Sequence, residues 1–402
     1  MKINQVRTYL LSDSWASTDP GWKGGDAKST ALVKVDTEEG VSGLGEIILG
    51  YFAPEVVPAL VDYYAPLLIG ENPMNTDPLW RKLHFSSKWW GRNGAALSVI
   101  SGIDIALWDL KGKALGVPVY QLLGGLARDR ILAYASVGGA PWPPERMLEK
   151  ARRYISAGYR AIKIGQFYAT QVFYDSQRGS SMKPPPTALY ADQEAEKFGL
   201  LRRELGNEID LMMHNHMGSG RTRPMSLDQA VRVARAVEPY GLLFIEEPLP
   251  YEDIHGYAEL RRRTSVPVAG GEMLSGTHEF EAFLSANALG IIQPDVSFVG
   301  GITTTWKIMT LAESRHVPIA LHLGGSFGPA FAAGLHLSLA CPHALVLEQV
   351  PAAVRAQSTI CKWPLDLIEG AFLAPSEPGL GVELNDEIVH RFPFVPGTGE
   401  RG

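Results

Sequence analysis

The stretch LLFIEEPLP (242–250) sets the first expectation: an apolar run that ends on two adjacent carboxylates, Glu246 and Glu247, and is halted by Pro248. A short apolar run bounded by turn residues reads as a buried strand. Similar runs lie on either side of it: ILAYASV (131–137), RAIKIG (160–165) and IDLMM (209–213) before it, and VPVAGG (266–271), GIIQP (290–294), VPIAL (317–321) and ALVLE (344–348) after it. Amphipathic segments such as LDQAVRVARAVEPYG and TTTWKIMTLAESRH separate them. Eight β-like runs joined by helices predict parallel βαβ units, and eight strands close a barrel.

In such a barrel the chemistry gathers at the C-terminal ends of the strands. Those ends carry polar residues in series: Lys163 on the second run, His214 and His216 on the third, Glu246 on the fourth, Glu272 on the fifth, Asp295 on the sixth, His322 on the seventh and Glu348 on the eighth. Any one of them alone could be a satisfied core or surface residue; the unbroken series is what points to a site. Glu246 and Glu272, with a third ligand from strand three, suit a hard divalent cation such as Mg²⁺. Asp295 and His322 suit a dyad in which the carboxylate orients the imidazole. Lys163 stands across the mouth as a second base or a cationic clamp. A cation beside a base is what proton abstraction next to a carboxylate requires. His214 and His216 share one side of their strand, because strand side chains alternate.

The chain has 402 residues, 46% hydrophobic and 20% charged, with a net charge of −6. That composition predicts a globular protein with no general attraction to nucleic acid or anionic lipid. Two cysteines, Cys341 and Cys361, are too few for a disulfide framework, so a reducing cytoplasm is expected. No run of ~20 apolar residues predicts a membrane span. Before residue 131 the pattern differs. Strands are expected at Val6–Leu11 and Ser29–Val35 with a long loop at 12–27 between them, followed by a helix over Ser101–Gly116 whose apolar stripe is Ile103, Ala106, Leu107 and Leu110. Three parts follow: a capping domain (1–130), a barrel (131–348), and a Pro- and Gly-rich segment (349–402) that packs back on the cap.

SGIDIALWDLKGKALGVPVYQLLGG (101–125), IEEP (245–248), VPVAGGE (266–272), QPD (293–295) and PIALH (318–322) together resemble the mandelate racemase subgroup of the enolase superfamily. The resemblance implies a modified TIM barrel, (β/α)7β, under an N-terminal α+β cap, with Mg²⁺ holding a substrate carboxylate. It carries the metal-ligand role to Glu246 and Glu272, the Asp–His dyad to Asp295 and His322, and a hydrogen bond to the substrate carboxylate to Glu348. Glu247 falls beside the ligands.

Two positions depart from the family pattern. The racemases' K-x-K is Lys163-Ile164-Gly165 here, which argues against 1,1-proton transfer between two opposed bases. The strand-three D-x-N or D-x-H is His214-Asn215-His216, so His214 stands at a metal-ligand Asp while His216 keeps the acid–base histidine of galactonate and mannonate dehydratases. The leading expectation is a sugar-acid dehydratase, in which His322 and His216 divide the roles of base and acid. A racemase, epimerase or cycloisomerase is the alternative within the fold. A third alternative is a relative without dehydratase activity, whose site, with His214 at the Asp position, binds Mg²⁺ weakly, takes another divalent metal or binds none, and a zinc amidohydrolase suggested by the H-x-H pair stands outside the fold. The expected partner is a small carboxylate substrate, with specificity from the loops at 12–27 and 166–190, and relatives of this type commonly form homo-oligomers.

Overall fold

A computed structural model describes residues 1–14, 27–138, 143–165, 187–215 and 225–400. Three antiparallel strands come first: β1 (Ile3–Ser14), β2 (Ala27–Thr37) and β3 (Ser42–Ile47), in the order β1-β2-β3. β1 and β2 run further than expected, pairing as far as Ser14 with Ala27, so the predicted loop at 12–27 contributes its first and last residues to the hairpin. The rest of that loop, 15–26, falls outside the described residues.

Helix Ala95–Leu115 is buried nearly all round rather than along one stripe. It is wedged between the small sheet and the barrel helix Gly301–Glu313. Glycine makes this approach possible: a Cβ on Gly43 would stand 2.0 Å from the Ala106 carbonyl oxygen, and one on Gly45 would stand 1.9 Å from that of Gly102. The helix's two carboxylates are buried with donors of their own. Asp104 accepts from the Thr303 amide and hydroxyl (2.8 and 2.6 Å), and Asp109 from the Leu44 and Leu380 amides (both 2.8 Å). Burial raises Asp104 to about 7 although the Thr303 donors pull the other way.

The barrel follows in chain order: β4 (Arg130–Ser136), β5 (Ala161–Gly165), β6 (Asp210–His214), β7 (Phe244–Glu246), β8 (Val268–Gly270), β9 (Ile291–Ile292) and β10 (Leu347–Gln349). All neighbouring pairs are parallel, and β10 returns to β4. The run expected at 317–321 closes the ring through isolated bridges rather than a regular strand: Ile319 pairs with both Ile292 and Ala344, and His322 pairs with Asp295. Pro318 and Pro294 lack the N–H that a continuous ladder needs. After β10 the chain adds β11 (Ala371–Leu373) antiparallel to β4 and then bridges Leu11 of the small sheet at Pro393.

One inward layer fills the barrel: Tyr134, Ala161, Met212, Phe244, Ala269, Ile291, Ala320 and Val346. This layer fixes the site, because the next residue on the same face of each strand lies two positions on. Among the described residues no helix is long and apolar enough to cross a membrane.

Two buried groups join the parts. Glu46, at the end of β3, accepts from the amides of Phe327, Gly328 and Ala330 and from the Thr30 hydroxyl, so the small sheet grips the first turn of the barrel helix Pro329–Ala340. Glu46→Gln keeps the shape but turns an NH₂ toward backbone donors. It is expected to cost about 2 kcal/mol, read from denaturant unfolding; wild-type stability would refute the clamp.

His336, on that same helix, is fully buried, stacks on Tyr120 and accepts from the Tyr120 amide through Nδ1. Burial lowers it from 6.5 to about 3. As pH falls from 6.5 toward 3, the unfolded chain binds a proton that the folded chain excludes, so stability is lost on the acid side, by at most about 1.4 kcal/mol per pH unit. His336→Gln retains an acceptor and should make that acid decline shallower in melts run across the range. An unchanged slope would exclude His336 as a source.

Candidate active site

Two residues beyond the inward layer, five of the expected strands present polar groups to one mouth: Lys163 after Ala161, His214 after Met212, Glu246 after Phe244, His322 after Ala320 and Glu348 after Val346. The same step from Ile291 reaches Gln293, which sequence reasoning passed over in favour of Asp295. Gln293 donates through its amide to Glu246 Oε2 at 2.5 Å. The alternation starting from Ile291 was the signal that would have found it.

Lys163 stands at the centre of the mouth. Its ammonium bonds Glu246 Oε1 and Oε2 at 2.7 and 2.8 Å and Glu348 Oε1 at 2.8 Å, and it lies 5.4 Å from the centroid of the Tyr134 ring. Three carboxylate oxygens from two residues therefore surround the ammonium, with side-chain exposures of 3% or less. Burial works against the Lys163 charge, but Glu246 and Glu348 outweigh it and hold the pKa well above normal. Burial likewise opposes the charge on Glu348, and Lys163 with His322 brings it down to about 2. Burial raises the Glu246 carboxyl, Lys163 pulls against that, and Glu272 and Glu348 add to the rise.

The dyad lies at the wetter side of the mouth. His322 Nδ1 is 2.7 Å from Asp295 Oδ2, and the other oxygen of Asp295 accepts from the Ser297 amide and hydroxyl. The Asp295 carboxylate is thus fixed on both sides, and its free role is to orient the ring. Nε2 of His322 is 3.5 Å from Glu272 and 4.0 Å from Glu348. His322 and Glu272 keep 18% and 12% of their side-chain surface, so solvent and solute meet the cluster here rather than at Lys163. Burial lowers the His322 pKa, but Glu272, Glu348 and Asp295 prevail and raise it to about 10. Glu348 is held in turn by the Leu323 amide at 2.8 Å.

Glu247 does not join these groups. Its backbone is left-handed (φ 45°), and its buried carboxyl lies against Gly270, where no Cβ intrudes. Burial, followed by Glu272 and Glu246, pushes its pKa well above the usual carboxylate value. His214 is buried at the end of β6, in register with Gly165 of β5 and Glu246 of β7. His216 lies outside the described residues.

The residues expected to hold Mg²⁺ do not form a set that fits it. Mg²⁺ favours an octahedron of oxygens, commonly carboxylates and water. Here one of the three positions carries an imidazole, and both oxygens of Glu246 are already engaged by an ammonium and an amide. Among the described residues no three Asp, Glu, His or Cys side chains are gathered as an ion site.

Comparison with known proteins places the chain. Residues 8–124 match the family model of the mandelate racemase / muconate lactonizing enzyme N-terminal domain, and residues 146–388 match that of the enolase C-terminal domain-like family. A D-galactonate dehydratase of Xanthomonas euvesicatoria pv. vesicatoria is 35% identical over 401 residues, covering 97% of this chain and 94% of that protein. One from Pectobacterium atrosepticum is 34% identical over 397 residues with the same coverage. Among solved structures, the 3,6-anhydro-D-galactonate cycloisomerase of Zobellia galactanivorans superposes with a TM-score of 0.81 at 27% identity, over 98% of this chain and all of that one. A member of the enolase superfamily from a Polaromonas species gives 0.82 at 29% identity over the full length of both. His214 thus ends the third barrel strand of an enolase-type fold, and the amidohydrolase alternative falls. The chain belongs to the mandelate racemase / muconate lactonizing enzyme family of the enolase superfamily.

Proposed function

We propose that this enzyme dehydrates a sugar acid to a 2-keto-3-deoxy acid. The observation that carries the reading is the His322–Asp295 pair at 2.7 Å, with Nε2 of the ring 3.5 Å from the partly exposed Glu272. The likeness to D-galactonate dehydratases over nearly the whole chain supports it.

In this reading Asp295 holds the tautomer with the proton on Nδ1, leaving the Nε2 lone pair for substrate whenever the ring is neutral. The α C–H bond breaks, its proton passes to Nε2, and the electron pair enters an enediolate of the substrate carboxylate. The β C–O bond then breaks, and the hydroxyl leaves as water with a proton from an acid. The D-x-H pattern of the dehydratases assigns that acid to His216. The resulting enol rearranges to the 2-keto acid. The family resemblance carries the hydrogen bond to the substrate carboxylate to Glu348. The family resemblance implies that Mg²⁺ supplies positive charge to that carboxylate, and the residues present fit the ion poorly. Gly165 removes the second lysine that a two-base racemase uses, which favours elimination over racemisation.

The test is a screen of aldonic and aldaric acids, galactonate among them, for 2-keto-3-deoxy products, with cycloisomerised and epimerised products followed in the same reactions. Asp295→Asn, which keeps the size of the side chain but not its charge, is expected to lower kcat by about 10²-fold or more without loss of folded protein by circular dichroism. Turnover at wild-type rates in that variant would remove the dyad from the mechanism. Isomerised rather than dehydrated products would move the enzyme to the cycloisomerase reading.

A further inference from the structure

We propose that the Lys163 ammonium, clamped between Glu246 and Glu348, is the resident cation of this mouth and takes the place of a divalent ion at the Glu246–Glu272–His214 positions. The inference takes the mouth as the reaction site and adds what neutralises it.

Three observations converge. First, the ammonium lies within 2.8 Å of three carboxylate oxygens, and two of those oxygens belong to the residue that the family pattern makes a metal ligand. An ion could take Glu246 only by stripping a buried ammonium of two bonds. Second, Gln293 donates to the same Glu246 carboxylate, so an amide NH₂ as well as an ammonium points where a ligand should offer a bare oxygen. Third, His214 replaces an anion by an imidazole, and its register partners are Gly165 and Glu246, so the missing charge lies directly beside the carboxylate that Lys163 engages. Hard divalent ions are selected by charge count and oxygen donors. This mouth has lost one carboxylate and spent most of another on an internal cation. The Tyr134 ring beside the ammonium favours a cation there as well.

The experiment uses the full-length protein, dialysed against EDTA and then analysed for metals. Wild type is expected to hold no stoichiometric Mg²⁺, Mn²⁺ or Zn²⁺, to show no calorimetric Mg²⁺ binding, and to melt at the same temperature with EDTA as with millimolar MgCl₂. A tight site would raise the midpoint by mass action. Lys163→Met with His214→Asp removes the internal cation and restores the third carboxylate, so its melting point is expected to become Mg²⁺-dependent by several degrees. His214→Asp alone, with the ammonium in place, is expected to stay insensitive. Stoichiometric metal in wild type, or tight Mg²⁺ binding by His214→Asp alone, would overturn the proposal. If the double variant does not fold, the wild-type metal content still decides.

The sugar-acid screen run in EDTA separates the two readings. Turnover that survives EDTA supports both. Turnover that needs added Mg²⁺ overturns the internal cation and leaves the dehydratase. No turnover from a metal-free, Mg²⁺-insensitive protein overturns the dehydratase and leaves the internal cation.

Discussion

The rest of the site depends on one electrostatic constraint: Glu246, Glu272, Glu348 and Asp295 all face a single, mostly buried mouth. Like charges this close cannot all persist without compensation. The compensation is built from the barrel itself. Lys163 balances Glu246 and Glu348, His322 lies between Asp295, Glu272 and Glu348, and backbone amides reach the remaining oxygens of Asp295 and Glu348. Buried ion pairs of this kind are a weak source of net stability but costly to break singly. The cluster is better understood as a charge pattern that the fold pays for elsewhere, in the apolar layer beneath it and the buried cap helix beside it.

That layer explains why so much of the mouth was legible. A strand in a closed parallel barrel is apolar until its end, and the first polar residue on its inward face marks where packing stops. Lys163, Glu246, His322 and Glu348 could be placed from that transition alone. Gln293 obeys the same transition, two residues beyond the inward Ile291, although it carries no charge and Asp295 follows it. The seventh strand was legible as an apolar run but not as a set of bridges, since Pro318 and Pro294 alter the ladder without altering hydropathy. Nor could helix Ala95–Leu115 be read as buried all round. Its Asp104 and Asp109 look solvated in sequence, and only the partners Thr303, Leu44 and Leu380, far along the chain, make them interior residues.

Glu247 illustrates the same limit from the other side. In sequence it is the twin of Glu246, one residue on. The left-handed backbone at Glu247 separates the two carboxyls into different surroundings, one paired with the Lys163 ammonium, the other buried with its pKa pushed well up by burial and the neighbouring carboxylates. Adjacent identical residues acquire unlike chemistry because their environments differ, and no local pattern encodes that difference.

The two departures from the family pattern are best considered together. Gly165 and His214 are direct register partners across β5 and β6, and Lys163 and Gly165 share one face of β5. An imidazole is bulkier than a carboxylate, and the glycine opposite offers no side chain to compete for the same side of the sheet. A lysine at 165 would stand beside that ring. Relative to the racemase pattern, one cation and one anion are absent from register partners on neighbouring strands. In the proposed reading the chemistry rests on the single His322–Asp295 pair, and the positive charge of the mouth on the Lys163 ammonium between Glu246 and Glu348.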